Sequence, residues 1–237
     1  GSARTPVHNG VILSVLIYMT AATSGGVLNP GVATGLLVAR ELTALKWVLY
    51  VAAELSGAVV GALIAGGIEE RCFFPEVHPE RLTCLADYSN YNSGPGCVPD
   101  IQPDAYARVW TWECVGTFIL VSTVFATAVA KPGFGNVAPL AIGASIFVNV
   151  GSSGGMTGGA YNPARYFGPA LAFGCRLGLF WLYWSAQLLG AVLAALVHTN
   201  VLQPTKAVVV SATQSLAQND SAAAATELAE AESKIRA

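Results

Sequence analysis

The chain has 237 residues, 54% of them hydrophobic and only 11% charged, with a mean hydropathy of +0.54. A soluble globular domain carries about 25% charged residues, so this composition suits lipid rather than water as solvent. A net charge of −2 excludes a nucleic-acid binder or any partner held by bulk charge.

The first apolar run, 11–23, predicts a span near 9–24, although a run this short also fits a buried core helix. It leads into "SGGVLNPGV" at 24–32. Asn is a strong N-cap and Pro suits the first helical turn, so Asn29-Pro30 opens a brief helix expected over 29–39. Lys46 to Ile68 forms a second span whose one acid is Glu54. Residues 69–107 are polar, rich in proline and more acidic than basic, and read as a long extramembrane loop. Arg108 to Ala130, with Glu113 its one acid, is the third span, and 137–150 a short fourth. "GGAYNPARYFGPAL" at 158–171 opens a second brief helix expected over 162–172. The last span, near 179–201, contains no Asp, Glu, Lys or Arg. The long runs have about the 20 residues that a spanning helix needs. The chain therefore divides into a membrane domain, 1–202, and a polar, Ala-rich C-terminal tail, 203–237, read as exposed and without its own core. No Ser/His/Asp constellation, metal-ligand spacing or phosphate loop is present, so neither an enzyme nor a metal or cofactor protein is expected.

The two "NP" motifs belong to an internal repeat. With Asn29 aligned on Asn162, Gly25-Gly26 falls on Gly158-Gly159 and Pro30 on Pro163. Twenty-five residues after each Asn, "ELSGAVVGAL" meets "QLLGAVLAAL" in register. Paired spans interrupted by Gly and Pro at corresponding positions point to half-helices at a binding or conduction site near the bilayer midplane. Broken backbone at that depth is tolerated only where it is buried in protein or lines a wet cavity. Two half-helices entering from opposite faces meet by their N-termini, each with roughly half a positive charge, and Asn29 and Asn162 then offer amide N–H donors to the lumen.

On these motifs, the repeat and Glu113, the chain over about 9–201 resembles the aquaporins, or major intrinsic proteins. The resemblance implies an all-α polytopic membrane protein: a right-handed bundle with two re-entrant half-helices meeting at mid-membrane in an inverted repeat. It implies a homotetramer in the lipid bilayer, with one pore per subunit passing water and, in some branches, glycerol or other small neutral solutes while excluding protons and ions. The signature positions become Asn29, Pro30, Gly31, Asn162, Pro163 and Ala164. The first motif departs from the family's, since Gly31 stands where Ala is usual and costs roughly 1 kcal/mol of helix propensity. Only 28 residues precede Asn29, room for one span where the second repeat has two. Either the natural chain begins earlier or the protein has five spans; the former is expected, because a five-span bundle exposes part of the pore wall.

Carried over by spacing, the family's selectivity filter falls on Asn9, Val150, Gly159 and Arg165. Water-selective members place aromatic and His side chains at the first two, so this filter is expected to be wide and fairly polar. Ala170 and Tyr183-Trp184 resemble the family's water-type positions and point the other way; the filter is weighted more because it sets pore diameter. Glu54 and Glu113, costly inside spans unless partnered, are expected to be structural acceptors for N–H groups of the re-entrant loops.

The loop cysteines Cys72, Cys84 and Cys97, with Cys175, all face the non-cytoplasmic side in the family arrangement. Four cysteines on an oxidising face allow two disulfides in three connectivities, or free thiols. Arg40, Lys46, Lys131, Lys206, Lys234 and Arg236 fall on the cytoplasmic side, as the positive-inside tendency requires, and the tail with them. The alternative to a channel is a non-conducting structural subunit of a larger membrane assembly.

Overall fold

The computed structural model describes residues 4–68, 94–130, 133–202, 226 and 229. Lys131, Lys206, Lys234, Arg236, Cys72 and Cys84 lie outside the described residues. Among the described residues, seven α-helices carry the fold: α1 (Arg4–Ser24), α2 (Pro30–Val38), α3 (Ala44–Ile68), α4 (Tyr106–Val124), α5 (Ala138–Thr157), α6 (Pro163–Phe173) and α7 (Phe180–Val197). Among the described residues there is no strand. Five segments of the described residues are long and apolar enough to cross a membrane, and they contain α1, α3, α4, α5 and α7. The two short helices α2 and α6 are not among them. The chain divides into two compact units, Gly1–Ala195 and Leu196–Ala237. The second is described at the end of α7, in the π-type turn His198–Leu202 and at Thr226 and Ala229.

In the first unit α1 packs on α5, α3 on α6, and α4 on α5. Glycines at equivalent repeat positions set the closest approaches. A Cβ on Gly10 of α1 would lie 2.7 Å from the carbonyl oxygen of Gly143 on α5, and one on Gly143 2.4 Å from that of Gly10. Either methyl would force the helices apart, since real Cβ atoms do not approach so closely. The main apolar core joins Ile17 of α1, Val32 and Leu36 of α2, Leu120 and Val121 of α4, and Ile142 and Ile146 of α5.

The fourth span is longer than its apolar run. The expected 137–150 is the helix Ala138–Thr157, which continues through Gly151, Gly154 and Gly155. Glycine weakens a helix by about 1 kcal/mol per residue without ending it when neighbouring groups hold the chain. Here the Asn149 amide donates to the Gly116 carbonyl of α4 at 2.8 Å, and the Tyr183 hydroxyl donates to the Thr157 carbonyl at 2.6 Å. The helix stops at Gly158, whose φ of 79° is the left-handed cap that favours glycine.

Burial is unequal between the repeats. Only 6% of the apolar window of α3 is buried, against 44% for the span containing α7, its repeat counterpart. The difference shows at one residue pair. A Cβ on Gly190 would lie 2.2 Å from the carbonyl oxygen of Cys114 on α4, whereas one on Gly57, its counterpart, meets nothing within 4 Å.

Candidate functional site

The two Asn-Pro motifs meet. Asn29 caps α2 by accepting from the Gly31 N–H at 2.8 Å, and Asn162 caps α6 by accepting from Ala164 and Arg165 at 2.9 and 3.3 Å. Their backbones match closely, with φ/ψ of −154°/116° and −155°/114°. Across the junction the hydrogen bonds are reciprocal. Asn29 Nδ2 donates to the Tyr161 carbonyl at 2.9 Å, and Asn162 Nδ2 to the Leu28 carbonyl at 2.9 Å. Each acceptor is the residue just before the other asparagine, which is local two-fold symmetry. A side-chain amide has two N–H groups, so each asparagine retains one beyond this bond.

Both asparagines line a cavity of about 700 Å³. Its wall runs from Asn9, Gly159 and Arg165, past Asn29 and Asn162, to Thr127, Ala130, Gly133 and Pro139, with aliphatic residues such as Leu13, Val32, Leu120 and Ile146 between. Among the described residues lining it there is no aromatic and no acid, and Arg165 is the one charged side chain. Gly25, Gly26, Gly158 and Gly159 all have left-handed φ, between 60° and 79°. Glycine reaches that region without the steric cost a Cβ imposes, so both approaches to the junction can turn sharply enough to expose backbone.

Of the four expected filter positions, Asn9, Gly159 and Arg165 line this cavity and Val150 does not. Val150 is buried in the core and does not line the cavity. Its methyl groups lie where a Cβ on Gly159 would go, the nearer at 2.9 Å. Ile17, the counterpart of Val150, packs on Gly26 in the same way but also lines the cavity. One turn earlier, Ile146 and its counterpart Leu13 both reach the cavity.

Arg165 is held by backbone. Its Nη1 donates to the Gly96 carbonyl at 2.6 Å and its Nη2 to the Gly158 carbonyl at 3.2 Å. The buried Glu113 carboxylate lies behind the second motif and accepts from the N–H groups of Ala160 and Tyr161, at 3.1 and 2.7 Å, and from Gln187 Nε2 at 2.8 Å. Three donors on one carboxylate suit its ionised form, an acceptor at every lone pair. Glu54 is less well matched. Both its carboxylate oxygens lack a hydrogen-bond partner; the Asn29 N–H approaches the group without hydrogen-bond geometry.

Tyr161 is a residue of the junction that the motifs alone did not single out. It is fully buried at a left-handed φ of 46°, its N–H on Glu113 and its carbonyl on Asn29. Its hydroxyl donates to the Asn149 carbonyl at 3.0 Å and contacts the Ser153 hydroxyl. Gly116 of α4 makes room for the ring, since a Cβ there would meet it at 2.2 Å. A large aromatic directly before an Asn-Pro cap, where the first repeat has Leu28, was the available sign. Of the cysteines, Cys97 and Cys175 form a disulfide and Cys114 is a buried free thiol.

The family model described as Major intrinsic protein matches residues 3–198. The chain is 35% identical over 203 residues to "Probable aquaporin TIP2-2" of Oryza sativa subsp. japonica, covering 85% of this chain and 72% of that one. It is 34% identical over 203 residues, with the same coverage, to "Aquaporin TIP2-1" of Arabidopsis thaliana. Among solved structures, the aquaglyceroporin from Plasmodium falciparum superposes with a TM-score of 0.66 at 22% identity, covering 82% of this chain and 80% of that one.

Proposed function

Because the chain belongs to the major intrinsic protein family, and is thus an integral multi-pass membrane channel rather than an enzyme, we propose that its cavity passes water and glycerol-sized neutral solutes while excluding ions and protons. The observation that carries this is the reciprocal pairing of Asn29 and Asn162 on the cavity wall. Two helix N-termini, each with roughly half a positive charge, face the same point as two free amide N–H groups. A water there accepts from both amides and is turned away from a continuous proton relay. A cation must lose hydration, pass Arg165 and then meet both dipoles, a recognised electrostatic barrier.

Solute size is set at the Arg165 end. Asn9, Gly159 and Arg165 line the cavity and no aromatic among the described residues does, which favours passage of solutes wider than water. The protein is proposed to act as a homotetramer, one pore per subunit. A second reading, a non-conducting subunit of a larger membrane assembly, draws on the nearly uncovered face of α3.

The test is stopped-flow osmotic shrinkage and glycerol uptake in proteoliposomes. The wild-type protein should raise both rates over empty vesicles, and Asn9→Phe should lower glycerol passage about tenfold, equivalent to a 1.4 kcal/mol barrier, with a smaller loss for water. Water flux without glycerol flux in the wild type sinks the wide-filter reading. Flux of neither favours the structural subunit.

A further inference from the structure

Gly94 to Gln102 form a strap that meets Arg165 at the Gly96 carbonyl. Val98 and Ile101 are buried, in a cluster with Tyr166, Ala170 and Tyr183. Arg176 fastens the middle, its Nε donating to the Pro99 carbonyl at 3.4 Å and its Nη2 lying 3.5 Å from Asp100 Oδ1. Cys97 is bonded to Cys175, just past the end of α6, the helix that carries Arg165. Gly96 directly precedes these anchors, with φ of 86° and so little room that a Cβ would lie 2.8 Å from Pro169 Cγ. The Gly96 carbonyl is the closer of the two acceptors of the Arg165 guanidinium.

Resting on the proposed channel function, the geometry points to the Cys97–Cys175 disulfide as a specificity-determining clamp, which seats the Gly96 carbonyl and so holds the Arg165 guanidinium against the wall. Cys97 follows Gly96 directly, so the cross-link fixes the peptide whose oxygen Arg165 uses. When the clamp opens, Nη1 loses a charge-assisted bond and its open direction is the cavity that Arg165 already lines. Water in the lumen becomes its acceptor. The guanidinium then takes up width that a glycerol-sized solute needs, while a file of single waters still passes. The disulfide state thereby sets the ratio of solute to water flux, not the total alone.

The experiment compares proteoliposomes prepared oxidised with proteoliposomes prepared in a water-soluble phosphine. The phosphine and one water cleave the S–S bond to two thiols, and the phosphine leaves as its oxide. Glycerol uptake should fall about tenfold relative to water, a factor equal to about 1.4 kcal/mol. The Cys97→Ser/Cys175→Ser double variant, without phosphine, should reproduce that ratio, tracing it to this bond rather than to another cysteine. In Arg165→Ala the phosphine should leave the ratio unchanged, because the group being positioned is gone; a bond that only stabilises the fold gives no such dependence. An unchanged ratio in the reduced wild type overturns the proposal, as does an equal shift in Arg165→Ala. Oxidised vesicles that pass neither solute overturn the channel reading itself, and this inference with it.

Discussion

Glu113 shows how one side chain fixes the second re-entrant turn. Its two oxygens accept the N–H groups of Ala160 and Tyr161, donors that no helix satisfies because α5 has ended and α6 has not begun. A buried N–H left unpaired costs about 1–3 kcal/mol. Glu113→Gln keeps the shape and puts an NH₂ where one acceptor was. Gln187 can answer part of the change by turning its unpaired Oε1 toward the new amide. The loop N–H cannot turn. The variant should therefore lose about 1–3 kcal/mol of stability, read as a lower unfolding temperature in detergent; an unchanged midpoint would show that the loop is held by other means. Glu54 has no such donor set, so a comparable loss is not expected there.

Helix against helix, the bundle depends on which glycines have neighbours. Gly168 of α6 lies so near α3 that a Cβ would sit 2.4 Å from the Ala58 carbonyl oxygen, and backbone on both sides leaves nothing to give. Gly57, nearby on the same α3, would carry a Cβ into open space. Gly168→Ala should therefore destabilise by the roughly 1–3 kcal/mol typical of overpacking. Gly57→Ala should be neutral, or gain up to about 1 kcal/mol from helix propensity. Thermal unfolding of both variants by intrinsic fluorescence checks this, and similar losses in both would contradict the packing. The lengthening of α5 through its glycines follows the same logic. Tertiary contacts hold a helix that its own residues favour only weakly.

For the molecule as a whole, orientation follows from charge. Arg40 and Lys46 flank the short connection from α2 to α3, and Lys206, Lys234 and Arg236 are in the tail, on one side of the membrane in the proposed topology. We propose that the strap and its disulfide lie on the opposite side, as the positive-inside tendency requires. In sealed right-side-out cells, an impermeant amine reagent should leave Lys46 and Lys234 unmodified until the membrane is opened. Modification of both from outside reverses the assignment.

The membrane class, the duplicated half-helix plan and the participation of Asn29, Asn162, Arg165 and Glu113 were legible in the sequence. Each rests on local rules that hold wherever the chain goes: apolar length, the Asn-Pro start of a helix, the cost of an acid in a span. Whether Val150 or Ile146 would face the cavity depended on how Gly159 turned. That turn is held by Glu113 and Tyr161 across a gap of almost 50 residues, which no periodicity in α5 records. The pairing of Cys97 with Cys175 was likewise one connectivity among several until the strap lay across the end of α6. Residue type and spacing determined what kinds of group were present and which helices they opened. Only the folded chain decided which of them face each other, because contacts between distant segments are set by packing and backbone approach rather than by either segment alone.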